Sequence, residues 1–417
     1  MTNPIINKRK ILNDPVYGFI NLQSDIIFDL IEHPYFQRLR RIKQLGLSCV
    51  VYPGANHTRF EHALGAFHLM RSAIDSLRIK NVVITNNEAE AVLIAILLHD
   101  IGHGPFSHAL EYILVQGVTH EHLSLMLMEQ LNKEFDHKLD LAIRIFKNEY
   151  PKAFLHQLVA SQLDMDRLDY LRRDSFFSGV VEGTIGSDRI IKMLNVCDNQ
   201  LAIESKGIYS VEKFLVARRL MYWQVYLHKT VITAEYLLIN ILKRAKELVG
   251  NGQELFATPQ LQWILQQNLH ADDLLIEDYK LKLLENFVAL DDTDILASIK
   301  AWRNHPDRVL AYLANAIVNR KLLRILVSDK PVPKEKIKQV KQNAMKQFNL
   351  NKQEAKYFVF AGSITNKLYE SDSENIKVLL KNGESVDLGI ASDIDFGSLS
   401  KTIKKHFICY PKELELN

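Results

Sequence analysis

The sequence turns on Leu97-Leu98-His99-Asp100-Ile101-Gly102-His103-Gly104-Pro105-Phe106-Ser107-His108. A wholly apolar run, Ala91 to Leu98, ends in a histidine and an aspartate side by side, and two glycines and two further histidines follow at once. Apolar residues bury readily, whereas a carboxylate does so only when it is paired or bound to a metal. A His-Asp pair at the end of a buried helix therefore calls for a cation.

Candidate ligands lie on both sides of this pair. Upstream, a helix is expected to start near Thr58 and to run through Arg59-Phe60-Glu61-His62, which puts Arg59 and His62 on one face. Downstream, Thr119 can N-cap a helix that begins His120-Glu121-His122. Eight of the 15 histidines fall between positions 57 and 122, too dense for a scatter of core and surface histidines. Further on, Leu163, Leu168 and Leu171 give an apolar stripe, so Leu163 to Asp174 reads as a helix with Asp166, Tyr170 and Asp174 stacked on one face. Arg167, Arg172 and Arg173 could make this a salt-bridged surface helix. Beside the histidine cluster, one aspartate as a metal ligand is the better reading.

His62, the pair His99-Asp100 and Asp166 thus come from three separate helices and form a mixed nitrogen and oxygen donor set. Such a set suits a divalent ion (Mn, Fe, Ni, Co, Zn or Mg) with open positions, and the closed cysteine pattern of structural zinc is absent. Open positions allow a metal to acidify water and polarise a phosphoryl oxygen. Arg59 and the basic Arg38–Lys43 segment could hold phosphates, with His103, His108 or His120 managing protons. Metal-assisted phosphoester hydrolysis is where these residues point.

The remaining chain reads as mainly α. Asn13 to Gly18 is a turn, Ile26 to Ile31 a helix, and Tyr35 to Leu45 a second helix with Phe36, Leu39 and Ile42 inward and Arg38, Arg40, Arg41 and Lys43 on a basic face. Cys49 to Tyr52 looks strand-like, Ser107 to Leu114 helical and Ser175 to Gly186 irregular. One long pattern, Ser210 to Leu248, is helical with a kink, and it places Arg218, Tyr222 and Tyr226 on one face. Helices are expected at Pro259 to Leu269, Asp273 to Leu290, Asp292 to Asn304 and Pro306 to Leu326. After the linker Lys330-Pro331-Val332-Pro333 comes a basic helix, Lys334 to Phe348. Strands then follow at Tyr357 to Phe360 and Ile376 to Leu380, a turn at Asn382-Gly383, and a short helix at Leu399 to His406. The expected organisation is a helical core over 1–200, a helical extension over 201–330 that completes the pocket, and a small α+β region over 331–417.

Composition bounds the alternatives. The 417 residues are 47% hydrophobic and 24% charged, an ordinary globular balance. A net charge of +3 is too small to argue for nucleic acid by itself and leaves that partner open. The three cysteines are scattered and odd in number, so neither a disulfide framework nor a CxxC site is implied. The polar, basic start has no apolar core of a signal peptide, and the longest apolar run falls far short of the roughly 20 residues of a membrane span. The chain reads as cytoplasmic, with no membrane partner.

His62, His99-Asp100 and Asp166 together resemble the H…HD…D signature of the HD-domain metal-dependent phosphohydrolases. Phe36 to Arg40, Ile42 to Gly46, Tyr52 to Ala55, His57 to His62, His99 to His108 and Asp164 to Tyr170 look like the deoxynucleoside triphosphate (dNTP) triphosphohydrolase branch. The likeness is dense over residues 13–190 and thinner to about 330. It implies an HD-domain helical bundle that cleaves a dNTP at the α-phosphate to a deoxynucleoside and triphosphate. Under it, His62, His99, Asp100 and Asp166 would bind the metal. His103, His108 and His120 would surround the α-phosphate, with His108 protonating the leaving oxygen and Glu121 orienting a histidine. Arg59 and Arg218 would contact phosphates, Gln44 and Leu45 the sugar, Tyr170 and Asp174 its 3′ side, and Tyr226 the base. An activating nucleotide would bind Lys10, Ile11, Glu32, Gln37 and Arg40, and the chain would form a dimer or tetramer. No SAM domain precedes the motif, and Glu32 and Arg167 stand where the mammalian member has a different acid and a lysine. Two other readings remain. One is an HD phosphohydrolase acting on another nucleotide or phosphoester. The other is a nucleotide-sensing or nucleic-acid-binding protein with a structural metal site.

Overall fold

The computed structural model describes residues 10–22, 24–106, 117–268, 271–366, 375–394 and 402–414. The expected helix at Ser107 to Leu114 and the residue His108 lie outside them.

The chain begins with a hairpin, β1 (Ile11–Asp14) and β2 (Gly18–Asn21). The Asp14 carboxylate accepts from the Val16 and Tyr17 amides at 2.9 Å each, and Gly18 takes a positive φ of 78°, as the expected turn requires. Helices α1 (Asp25–Glu32) and α2 (Pro34–Gln37) follow.

The single helix expected at Tyr35 to Leu45 is not formed: a 3₁₀ turn covers Arg38–Arg41 and Ile42 is extended. Two long-range pulls break it. The wholly buried Arg38 guanidinium donates to the Ile101 carbonyl at 2.8 Å, and the Lys43 amide donates to Asp292 at 3.0 Å. Arg38 is therefore no part of a solvated basic face. The segment expected as a strand at Cys49 to Tyr52 is instead a 3₁₀ turn, Gly46–Val50.

The central helix α3 (Arg59–Ile79) starts at a capping box, Thr58 with Glu61, and buries Phe60, Ala63, Phe67, Met70, Ile74 and Leu77. It packs between α4 (Asn86–Leu98) and a later helix, Met165–Ser178. Helix α4 is capped by Thr85 with Glu88 and is buried on nearly every side. Next come α5 (His120–Glu134, capped by Thr119), α6 (Asp140–Phe146), α7 (Ala153–Val159) and α8 (Met165–Ser178). Asp164 caps α8, and Gly179 ends it at a φ of 74°, so the helix reaches into the stretch expected to be irregular.

After α9 (Ser187–Met193), strands β3 (Leu194–Cys197) and β4 (Gln200–Glu204) lead to α10 (Ile208–Met221). The long helical pattern is then interrupted by a π turn at Tyr222–Tyr226 and a break at His228 before α11 (Lys229–Gly250). Helices α12 (Pro259–Gln266), α13 (Glu277–Val288), α14 (Asp292–Trp302) and α15 (Arg308–Val318) complete the extension.

The tail departs from expectation in three places. The helix predicted to reach Leu326 stops at Val318, and Arg324–Ser328 is a strand, β5. Helix α16 (Lys334–Phe348) forms as expected, but α17 (Ala355–Phe358) replaces the start of the predicted strand, which becomes β6 (Phe360–Asn366). Strands β7 (Lys377–Leu379) and β8 (Ser385–Asp387) flank the turn at Gly383, and α18 (Leu388–Ala391) follows. The predicted helix at Leu399 to His406 is contradicted by β9 (Ile403–Tyr410), which lies between β5 and β6 with Phe407, Ile408, Cys409 and Tyr410 buried. Its backbone is satisfied on both edges by segments remote in sequence, which local propensity does not register. A second sheet has the order β3-β4-β7-β8, so the tail adds strands to the core through a parallel β4–β7 pair.

The whole is mainly helical with a small mixed β region. Among the described residues, no helix is long and apolar enough to cross a membrane.

Candidate metal centre and cavity

Three elements converge at the C-terminal end of α4. His62 lies one turn into α3, His99 caps α4, and Asp166 sits in the first turn of α8. One ligand atom from each lies within 4.8 Å of the other two.

The ring orientations are fixed from behind. His62 Nδ1 donates to Asp169 at 2.7 Å, and His99 Nδ1 donates to the Ile96 carbonyl at 2.6 Å. In the neutral rings each Nε2 is therefore left as a lone pair, and both are buried without a hydrogen-bond partner among the described residues. Asp166 Oδ1 stands 3.1 Å from one and 3.5 Å from the other. Lone pairs converging on a carboxylate oxygen repel unless a cation sits among them, which is the donor set of a divalent metal ion. Burial pushes the His62 imidazole down, but the carboxylates of Asp166 and Asp169 outweigh it and lift the ring to about 10, so without a metal ion a proton supplies the positive charge at Nε2 and a metal would displace it. Burial likewise opposes charge on Asp166, and the two histidines hold it well below the usual carboxylate range.

Asp100 is drawn to the same place. Its oxygens lie 3.4 Å from His99 Nε2 and 3.7 Å from His62 Nε2, and Oδ2 also pairs with Arg59.

Behind His62 runs a buried chain of charges not anticipated from the sequence. Arg173 grips both oxygens of Asp169 at 3.0 Å and reaches Asp14 in the hairpin at 2.8 Å. Gly65 makes this crossing possible, because a Cβ there would lie 2.0 Å from Asp169 Oδ1. Asp169 and Arg173, four apart, give the same sequence signal as a surface ion pair; their complete burial is what distinguishes them.

The turn after Asp100 is clamped. Ser124 Oγ donates to the His99 carbonyl at 2.7 Å and accepts from the Gly102 amide at 2.9 Å. A Cβ on Gly102 would meet the His120 carbonyl and the Ser124 nitrogen at 2.2 Å, so only glycine admits α5 this close. In consequence the His103 and His120 rings stack at 3.9 Å. Burial, reinforced by Arg59, holds the His103 imidazole well below its ordinary value and keeps it neutral. Asp292 on α14 accepts from the Phe106 amide at 2.9 Å and from the Lys43 amide at 3.0 Å, tying these two segments together.

Over the metal cluster opens a cavity of about 460 Å³. Arg59, Asp100, His103, His120 and Asp166 are among its lining residues, as are Gln44, Leu45, Tyr170, Asp174 and Tyr226. Asp174 is held by His57 at 2.8 Å and by the Tyr226 hydroxyl at 2.7 Å. The lining also includes Phe106, Arg167, Tyr222 and Glu235, which the sequence did not single out as site residues. Arg167, next to Asp166 on α8, was the one open to sequence reasoning.

Among the described residues, the remaining expected ones lie outside the lining of this cavity. Arg218 is not among the lining residues; it is buried and donates to Gln162 at 3.1 Å. Glu121 is exposed, with no hydrogen bond to a described residue. Gln37 accepts from Arg40 at 2.8 Å and donates to the Ile31 carbonyl beside the exposed Glu32. Lys10 and Ile11 are exposed at the start of the hairpin.

A helical bundle that brings two imidazoles and a carboxylate together in this way is that of a metal-dependent phosphohydrolase. The chain belongs to the HD domain family, whose pattern covers residues 59–174, and an HD associated region covers residues 185–256. The uncharacterized protein YwfO of Bacillus subtilis is 30% identical over 99% of this chain and 94% of its own length. A crystal structure of a phosphohydrolase from Bacteroides thetaiotaomicron matches with a TM-score of 0.93 at 54% identity, over 96% of this chain and 99% of that one. The deoxynucleoside triphosphate triphosphohydrolase SAMHD1 homolog of Dictyostelium discoideum is 34% identical over 59% of this chain, which spans 51% of that protein.

Proposed function

We propose that the protein is a dNTP triphosphohydrolase, cleaving its substrate to a deoxynucleoside and inorganic triphosphate. The observation that carries this reading is the continuity of the metal cluster with a nucleotide-sized cavity lined by arginines and tyrosines. The relationship to proteins named for that activity supports it.

His62, His99 and Asp166, with Asp100 beside them, would hold a divalent ion, which supplies Lewis acidity toward a phosphoryl oxygen and acidifies water. In the reaction a water oxygen bonds to the α-phosphorus as the bond to the 5′ oxygen breaks, and that oxygen takes up a proton. Arg59 and Arg167 neutralise the phosphates. The stacked His103 and His120 line the α-phosphate, and His108 protonates the leaving oxygen. Gln44 and Leu45 bound the sugar, with Tyr170 and Asp174 at its 3′ side. The resemblance also implies an oligomer and an activating nucleotide held by Lys10, Ile11, Glu32, Gln37 and Arg40, which light scattering with and without added nucleotide would test.

Protein supplied with Mn²⁺ and each dNTP should release triphosphate, and Asp166→Ala should abolish the release. Phosphate or pyrophosphate as the sole inorganic product would favour an HD phosphohydrolase of another specificity.

A further inference from the structure

The ionisable groups around the cavity mostly have partners. Asp100 meets Arg59, Asp166 meets two histidines, Asp174 meets His57 and Tyr226, and Arg167 meets Asp164 at 3.2 Å. Glu235 differs. It lies in the second turn of α11, the helix that packs on the 3₁₀ turn Gly46–Val50, and it lines the cavity. No described residue gives its carboxyl a hydrogen bond or an ion pair. Burial alone pushes that carboxyl up to about 7. The residues one turn away, Val231, Ile232 and Leu238, are buried and apolar. Glu235 is half-buried, and a carboxylate here has only solvent for a partner until something entering the cavity satisfies it.

What enters can be argued from the order of the wall. Tyr170 stands 6.5 Å from His62 and 6.1 Å from Tyr226, ring to ring, and α11 begins just after Tyr226. Phosphates belong with Arg59 and Arg167 beside the metal ligands, and an unpaired carboxylate repels them. The part of a nucleotide left to meet α11 is the base.

We propose that Glu235 reads the Watson–Crick edge of the base and selects guanine, whose adjacent N1–H and N2–H donors match the two carboxylate oxygens. This rests on the nucleotide reading above. Adenine sets an acceptor beside its N6 donor, thymine flanks one donor with two carbonyls, and cytosine donates only from N4, so each leaves an oxygen of Glu235 facing a lone pair.

The test measures kcat/KM with Mn²⁺ for dGTP, dITP and dATP in the wild type, Glu235→Gln and Glu235→Ala, with melting curves to confirm folding. Glu235→Gln removes an unpaired charge and is expected to fold. The wild type should prefer dGTP over dATP by about 5- to 150-fold, with dITP, which lacks the 2-amino group, between them. Glu235→Gln, offering one donor and one acceptor, should lose that preference and gain on dATP; Glu235→Ala should level all three. A dGTP:dATP ratio unchanged in both variants, or a wild type that prefers dATP, overturns the assignment while triphosphate release stands. If no dNTP yields triphosphate, the functional reading fails instead. Calorimetry of dGTP and dATP binding then decides the role of Glu235, and equal affinities overturn it.

Discussion

Asp14 in the N-terminal hairpin lies 2.8 Å from Arg173 on α8, and through Asp169 this contact reaches the metal-ligand ring of His62. The hairpin and the metal cluster therefore share one buried charge network. Removing any link leaves a buried charge uncompensated and loosens the imidazole.

Asp169→Asn should weaken Mn²⁺ binding by about 10- to 100-fold, the usual effect of removing a carboxylate behind a ligand histidine. Asp14→Asn should weaken it less, because Arg173 keeps Asp169. Isothermal titration with Mn²⁺ checks both, and equal affinities in wild type and Asp169→Asn would contradict the network.

The Asp292 carboxylate binds the amides of Lys43 and Phe106, so Asp292→Ala strands two donors beside the cavity. A stability loss of about 2–4 kcal/mol is expected in urea denaturation, taking ~1–2 kcal/mol per unsatisfied buried donor. A loss below about 0.5 kcal/mol, the scale of an ordinary surface substitution, would show that water replaces the carboxylate.

Acid stability should depend on Glu88. Burial opposes its charge, but Lys152 at 2.9 Å, the Thr85 amide at 2.8 Å and the Tyr150 hydroxyl at 2.7 Å hold the carboxyl at about 2 against 4.5 for the free group. A depressed folded value contributes stability above the unfolded pKa, and that stability is lost as pH falls from 4.5 toward 2. Glu88→Gln should therefore cost on the order of 2 kcal/mol at neutral pH and flatten the acid limb. Thermal melts across that range read the slope, and identical slopes would rule out this role.

What the sequence made legible follows from how local the chemistry is. His62, His99 and Asp166 could be found because few residue types bind a metal and each sits near a recognisable helix start or end. Lys334–Phe348 was found to the residue because its periodicity and its proline boundary are local. Arg38 was misplaced on a solvated face because its acceptors, Ile101 and Leu290, are 63 and 252 positions away. Strand β9 reads as a helix in the sequence for the same reason, since its partners begin at Arg324 and Phe360. Glu235 carries no motif at all; only the cavity it lines distinguishes it from a surface residue of an amphipathic helix.

The most direct test of the proposed activity is hydrolysis of a dNTP with Mn²⁺ in H₂¹⁸O, with both products weighed by mass spectrometry. Attack at the α-phosphorus predicts triphosphate carrying one ¹⁸O and a deoxynucleoside carrying none. Label in the deoxynucleoside, or orthophosphate or pyrophosphate in place of triphosphate, would contradict it.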